Sequence, residues 1–316
     1  MVDRVNYLVS NSIAPSTANL YRRAWSLFRT CMILLNISYI GLQDLPLSEN
    51  RILLFIGYLD LEGYAPSTIT TYLSALSYVH KLKGLSDPIS SFVVQKALLG
   101  SIKLRSSFDT RLPITIGILN RLVNAVNTTI SGAYYIALFK SMYLISFFAL
   151  MRVGEVTKDS KGEVALNVNQ VKIFDNYATI TIRKFKHNSS QQPFDLILVR
   201  QQDINICPIN ALINYLRLRG LSDGPLFSLP NLEPISREFF LKNLNLNLRF
   251  CGLDTKVFKS HSFRIGGASY YAELGLSDGQ IRLIGRWRSN AFLKYIRCQR
   301  VRLAISEPIS HHISEL

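Results

Sequence analysis

The sequence predicts a mainly α, α+β chain in two parts: an N-terminal helical bundle, then a mostly helical domain with a small antiparallel sheet. Three observations carry this. The chain has 316 residues, enough for two domains at roughly 100–200 residues each. Hydrophobic residues make up 48% and charged residues 18%, which supplies a core and excludes a disordered, collagen-like or coiled-coil chain. Helix-period apolar runs cover most of the chain, whereas strand-like runs occur only between residues 164 and 199.

The first part spans residues 1–105. Ala-Pro-Ser-Thr occurs at Ala14 and again at Ala65, each time followed by a tyrosine, Tyr21 and Tyr72. Proline followed by Ser and Thr marks a helix start with a candidate cap. The first copy leads into Leu20, Ala24, Leu27, Phe28, Cys31 and Leu34, the second into Tyr72, Leu73, Leu76 and Val79, both at helical spacing. Such a short echo reflects two similar helix starts rather than a repeat. A third helical run covers Arg51 to Leu61 and stops at Gly63, and a fourth runs from about Ile89 to Leu104. Residues 106–113, Ser106 to Pro113, read as a linker.

The second part spans residues 114–316. Helices are expected near Ile116–Val126 and Ala133–Met151. The apolar stretch Tyr134–Met151 contains Lys140 and lacks flanking anchors, so a buried core helix is expected and no membrane association. Val164–Val168, Ala178–Arg183 and Phe194–Val199 read as strands, the last two forming a hairpin around the polar loop Lys184–Pro193. Helical patterns return at Pro208–Leu218, Ser236–Phe250, Ser262–Leu274, Asp278–Trp287 and Asn290–Ala304.

Lys+Arg minus Asp+Glu is 36 − 21 = +15, and the pI is near 9.8. Residues 1–109 contribute +3 and residues 110–316 contribute +12. A surplus of this size points to a polyanion, most often nucleic acid, while on charge alone a ribosomal or membrane-surface protein stays open. Cys31, Cys207, Cys251 and Cys298 form no CxxC pair, so neither a zinc ribbon nor a disulfide framework is expected, and a reducing compartment fits. The first residues lack the apolar core of a signal peptide.

Four local patterns could carry chemistry, and each alone has a bland reading. Arg152 follows the apolar helix with Glu155 three residues on, as a helix-end charge pair would. Lys184 and Lys186 stand in the hairpin loop, where lysines are usually solvated. His261 and Arg264 are i, i+3 in a first helical turn, where a basic pair is unfavourable unless an anion meets it. From Arg282 to Arg302 there are seven basic residues and no acidic one, with Trp287 and Tyr295 among them.

In this order the four patterns resemble the tyrosine recombinase (phage integrase) family over essentially the whole chain. The segments His-Ser-Phe-Arg-Ile-Gly-Gly-Ala-Ser and Ile-Gly-Arg-Trp-Arg-Ser-Asn-Ala-Phe-Leu-Lys-Tyr-Ile-Arg look most like recombinases of eukaryotic mobile elements of the DIRS and Crypton type. The resemblance implies a helical core-binding domain over 1–105 and a catalytic domain over 114–316. It matches Arg152 to the first catalytic arginine, Glu155 to its supporting acid, and His261 and Arg264 to the HxxR pair. Lys186 matches the hairpin lysine, with Lys184 its rival, and Tyr295 matches the nucleophile. Trp287 is chosen for the position before the nucleophile. It lies eight residues before Tyr295, one fewer than usual in the family, and Arg286 occupies the position that the usual spacing indicates. Lys184, Arg286, Arg288 and Arg300 are expected to contact DNA.

The chemistry fits that set. The charge of a phosphodiester must be met during in-line displacement. Arg152 and Arg264 can make paired N–H bonds to phosphoryl oxygens. No DxD or HExxH cluster is present, so no metal and no cofactor are expected. A tyrosine with an ordinary pKa near 10 needs nearby cations and a base, for which His261 is the candidate, and Lys186 is the candidate acid for the leaving 5′-oxygen. The expected partner is double-stranded DNA, held between the two domains, with a homotetramer on two DNA sites. The expected location is intracellular, the nucleus in a eukaryote and otherwise the cytoplasm. The alternatives are a non-catalytic DNA-binding descendant of such an element, a type IB topoisomerase, and an RNA-binding protein. The last lacks an RNP1-like or GXXG signature in a fitting context.

Overall fold

The chain divides into two compact units, Met1–Asp109 and Thr110 onward. The structure, a computed structural model, describes residues 1–105, 109–159, 161–183 and 192–297.

The first unit contains α1 (Val2–Ser10), α2 (Pro15–Leu34), α3 (Glu49–Leu61), α4 (Pro66–Leu82) and α5 (Phe92–Leu104). Both Ala-Pro-Ser-Thr segments start helices, but their Ser and Thr are not the caps. Ala14 and Ala65 take the extended cap backbone and Pro15 and Pro66 fill the first helical position. Proline has no N–H to satisfy there and its φ is already helical, so the helix begins one residue before Ser16 and Ser67. The fourth helix begins at Phe92 rather than Ile89, because Pro88–Ser90 form a 3₁₀ turn and the Ser91 hydroxyl caps α5 by accepting from the Val94 N–H. Helix α1, not read from the sequence, buries no residue. In the core, Phe28 of α2 meets Phe55 of α3 edge-on at 5.3 Å, with Ile69, Tyr72 and Leu76 of α4 around them. His80 is fully buried: its Nδ1 lies 2.8 Å from the Leu76 carbonyl and its Nε2 accepts from the Leu47 N–H at 3.0 Å.

The second unit begins with α6 (Ile116–Thr129), α7 (Ala133–Phe148) and the short α8 (Val153–Val156). Strands β1 (Val171–Ile173), β2 (Tyr177–Ile182) and β3 (Phe194–Val199) follow, then α9 (Pro208–Arg219), α10 (Arg237–Phe250), α11 (His261–Glu273), α12 (Asp278–Ile284) and a 3₁₀ segment, Asn290–Tyr295. Helix α7 is the buried core helix its sequence predicts, packed against α6, α9 and α11. Among the described residues no helix is long and apolar enough to cross a membrane.

The sheet is antiparallel in the order β1-β2-β3. Ala178, Ile180 and Ile182 of β2 face Leu196 and Leu198 of β3 on the buried side, with Ile180 opposite Leu196. Alternation of this kind fixes register, since a one-residue slip would turn these side chains to water. Two expectations are corrected. Val164–Val168 is no strand of this sheet: the Leu166 carbonyl accepts from the Leu226 N–H and the Val168 N–H donates to Gly224, and the first strand is Val171–Ile173. The expected helices Asp278–Trp287 and Asn290–Ala304 are shorter, because α12 stops at Ile284 and Asn290–Tyr295 is a 3₁₀ turn. Residues 298–304 lie outside the described residues. Two apolar clusters form this unit: a large one around α7, and a small one of Leu150, Ala268, Ile281 and Phe292, on which the candidate site rests.

Candidate active site

The site begins with the ends of two helices. After α7, Leu150 takes a left-handed backbone (φ +47°); its N–H bonds Phe147 O and the Met151 N–H bonds Ser146 O at 3.1 Å. After α12, Arg286 does the same (φ +55°); its N–H bonds Leu283 O and the Trp287 N–H bonds Arg282 O, each at 3.0 Å. Both are the paired C-terminal turn in which glycine usually takes the left-handed residue. Leucine and arginine there cost about 1–3 kcal/mol each, so surrounding contacts must hold them.

Those contacts come from two buried guanidiniums. A helix C-terminus carries unpaired carbonyls and partial negative charge. Arg264 of α11 is fully buried and donates to Leu150 O and Gly285 O, one from each turn. Arg286 donates to Ile284 O at 3.0 Å and, at 3.3–3.4 Å, to Ala149 O and Leu150 O. Burial, and then the nearby Arg152, pull the Arg264 pKa down to about 9, which leaves it charged at neutral pH.

Two glycines bring α11 this close. A Cβ on Gly266 would stand 1.8 Å from Ile114 O, and one on Gly267 would stand 2.3 Å from Phe147 O. Gly285 plays the same part against Trp287, whose ring would meet a Cβ at 1.7 Å. Trp287 is thereby laid over Arg264, with the guanidinium carbon 4.0 Å from the ring centroid, a cation–π arrangement.

Arg152 is the N-cap of α8. Glu155, three residues on, accepts from the Arg152 N–H and from its guanidinium, both at 2.9 Å. The second carboxylate oxygen also accepts from Arg286 at 2.7 Å. Glu155 therefore joins one arginine at the rim of a cleft to one beneath it. Burial works against its ionisation, but Arg286 and Arg152 prevail and hold the carboxyl below the usual range.

His261, the first residue of α11, and Trp287 both lie against Tyr295. The His261 ring is 4.9 Å from the Tyr295 ring, and Trp287 stacks on it at 5.3 Å and 28°. Ser269 ties the Tyr295 segment down, donating to Tyr295 O at 3.2 Å and accepting from the Arg297 N–H at 2.8 Å. Beside these residues opens a cleft of about 670 Å³ lined by Arg111, Arg152, Arg237, Lys259 and His261, with Glu155, Asp159 and Glu163. The basic side chains suit an anionic substrate. Among the described residues no group of three or more His, Cys, Asp or Glu side chains is placed to hold a metal.

The structure thus brings Arg152, Glu155, His261, Arg264, Trp287 and Tyr295 together. Two expectations change. Arg286, expected on a DNA-contacting surface, is buried: its side chain is 1% exposed and is directed into Glu155 and the helix ends. Of the two residues considered before the nucleophile, Trp287 touches Tyr295 and Arg286 points away from it. Arg264 does not line the cleft either, since each of its terminal nitrogens donates to a helix-end carbonyl, and of the two arginines expected to meet phosphate only Arg152 lines it. Arg288 is exposed. Lys184, Lys186 and Arg300 lie outside the described residues. Sequence reasoning missed Ser269, the spacing role of Gly266, Gly267 and Gly285, and the cleft residues Arg111, Arg237 and Lys259. The Gly-Gly pair directly after His-Ser-Phe-Arg-Ile was the one readable signal, since adjacent glycines inside a helix imply close backbone approach.

No family model matches the chain and no curated protein matches it. Solved structures do. The Tn1549 transposon integrase in complex with transposon right end DNA aligns with a TM-score of 0.63 at 10% identity, over 95% of this chain and 94% of that one. XerH site-specific recombinase bound to a palindromic difH substrate gives 0.62 at 16% identity, over 88% and 75%. A lambda integrase dimer bound to a COC′ core site gives 0.61 at 16% identity, over 97% and 79%. At these identities the likeness is one of fold: the chain has the fold of site-specific recombinases and integrases.

Proposed function

We propose that the chain is a site-specific DNA recombinase that cleaves and rejoins duplex DNA through a 3′-phosphotyrosine intermediate, with Tyr295 as nucleophile. The observation that carries this reading is the packing of Tyr295 against His261, which lines the basic cleft together with Arg152, and against Trp287, which covers Arg264. Packing alone asks for no tyrosine set beside a histidine at the edge of an arginine-lined cleft, whereas phosphoryl transfer does. The Tyr295 oxygen attacks phosphorus; the new phosphorus–oxygen bond forms as the bond to the 5′-oxygen breaks. The tyrosine proton passes to His261, and Lys186 delivers one to the 5′-oxygen. Arg152 meets the non-bridging oxygens, and Arg264 adds positive charge beneath Trp287. The 5′-hydroxyl of a partner strand then attacks the phosphotyrosine, releasing Tyr295 without an external energy source. Within this reading the first unit is a core-binding domain, the working form is a tetramer on two DNA sites, and the sequence wording favours the DIRS and Crypton type.

The test is covalent capture. The chain is incubated with a plasmid carrying the sequences that flank its gene, quenched in detergent and run on a denaturing gel. Wild type should form a protein–DNA adduct, and Tyr295→Phe should bind the same DNA and form none. Adduct persisting in Tyr295→Phe moves the nucleophile to Tyr270 or Tyr271, which follow on α11. Exchange between two such plasmids, rather than relaxation of one, separates a recombinase from a topoisomerase.

A further inference from the structure

We infer that Arg286 is a positioning residue that locks the Trp287–Tyr295 segment onto the Arg152–Glu155 turn, so that the two halves of the site are assembled by one buried guanidinium. The kinetic part of this inference rests on the recombinase reading.

Three observations carry it. First, Arg286 occupies a left-handed position that glycine would fill without strain, immediately before Trp287. Glycine would make the turn but would leave Glu155 and the carbonyls of both helix ends without that cation. Second, Arg286 meets acceptors from both sides of the site. Ile284 O belongs to the end of α12, whereas Ala149 O, Leu150 O and the Glu155 carboxylate belong to the stretch from the end of α7 to α8. Third, it shares Glu155 with Arg152. One carboxylate oxygen serves the Arg152 guanidinium and the other serves Arg286 together with the Arg152 N–H. Remove Arg286, and among the described residues Arg152 is left as the guanidinium hydrogen-bonded to Glu155, with Arg264 nearby. Arg152 is then drawn inward, away from the cleft that needs it. Because the Arg286 side chain is 1% exposed, these consequences arise without any contact to DNA.

The experiment uses the full chain with two readouts. The sequence has two tryptophans, so in a Trp25→Phe background the emission and acrylamide quenching of Trp287 report docking of the segment without DNA. The second readout is the single-turnover rate of adduct formation on the flank-bearing plasmid, together with the Kd for that DNA. Arg286→Met should raise Trp287 quenching and slow adduct formation by roughly 10²-fold, the effect of misplacing a reacting group by about 1 Å. The Kd should stay within about twofold, because no phosphate contact is lost. Glu155→Gln with Arg286→Met should be no slower than the worse single variant, since both act through one pair. If Arg286→Met does not fold, Arg286→Lys decides. An ammonium keeps the charge but cannot reach the carboxylate and the carbonyls with a planar fork, so quenching between wild type and a solvent-exposed tryptophan supports the inference and wild-type quenching overturns it. Unchanged Trp287 quenching in Arg286→Met, or a weakened Kd with unchanged quenching, also overturns it. Should wild type form no adduct, the recombinase reading fails while Trp287 quenching still decides whether Arg286 docks the segment.

Discussion

Glu155 is the residue on which the site's charges converge, and it has a measurable acid signature. Its carboxyl is buried, which alone would raise its pKa, yet Arg286 and Arg152 hold it below the usual range. A carboxyl depressed in the folded state stabilises above its unfolded pKa, about 4.3, and that stability is lost as pH falls through the lower folded value. Glu155→Gln should therefore destabilise the second unit at pH 7 by about 3–5 kcal/mol, because it leaves Arg286 buried without a counter-charge. The gap between variant and wild type should narrow as pH drops below about 4. Urea unfolding followed by circular dichroism at pH 7, 4 and 3 checks this; a gap that does not change with pH would mean that the carboxylate charge is not what matters. At this scale the sequence was legible where chemistry sits at fixed spacing. His261 with Arg264 and Arg152 with Glu155 are local pairs, and the structure keeps each within one turn. It misled at Arg286, one basic residue in a basic run, because charge in a sequence reads as exposure and the partner that buries it lies 131 residues earlier.

The elements of the second unit hold the site by close backbone approach, which side chains larger than hydrogen cannot match. Gly266 shows it best: the atom a Cβ would meet at 1.8 Å is a backbone carbonyl, which cannot swing aside. Gly266→Ala should cost about 3 kcal/mol or more, at the upper end of overpacking. Gly57, on the exposed side of α3 with nothing within 4 Å of a Cβ, is the counter-case. There Gly→Ala should stabilise by about 0.5–1 kcal/mol through helix propensity and lower unfolded-state entropy. Urea unfolding followed by Trp287 in a Trp25→Phe background for the one and by Trp25 in a Trp287→Phe background for the other separates the two units; stabilisation at both positions would contradict the close approach of α11 to Ile114. The helices and the β2–β3 hairpin were readable because apolar periodicity and β-branched alternation are local properties. The turns were not. Whether the second residue after α12 takes a left-handed turn depends on what its side chain can reach in the folded unit, and nothing at Arg286 itself says so. The Val164–Val168 segment failed for a related reason: it has strand composition, but its backbone partners are Gly224 and Leu226, which no local pattern marks.

For the whole molecule, the charge surplus is the property that DNA binding would use. Residues 110–316 carry +12 of the net +15, and the cleft of the second unit is lined by Arg111, Arg152, Arg237 and Lys259. If that surface neutralises phosphates, counterions are released and log affinity falls linearly with log salt, with a slope of about −0.9 for each phosphate met. This holds for duplex of arbitrary sequence, so it needs no knowledge of the target site. The burial difference between two neighbouring arginines sharpens the test. Arg288 is exposed and Arg286 is buried on Glu155. Arg288→Gln should therefore flatten the slope by about 0.9, the share of one phosphate contact, and Arg286→Gln should leave it unchanged. Fluorescence anisotropy of a labelled duplex across a salt series measures both. A slope that changes with Arg286 rather than Arg288 would place the wrong arginine at the DNA. A binding constant indifferent to salt would leave the +15 surplus without a polyanion to meet it, and the reading of this chain as a DNA-processing protein would lose its electrostatic support.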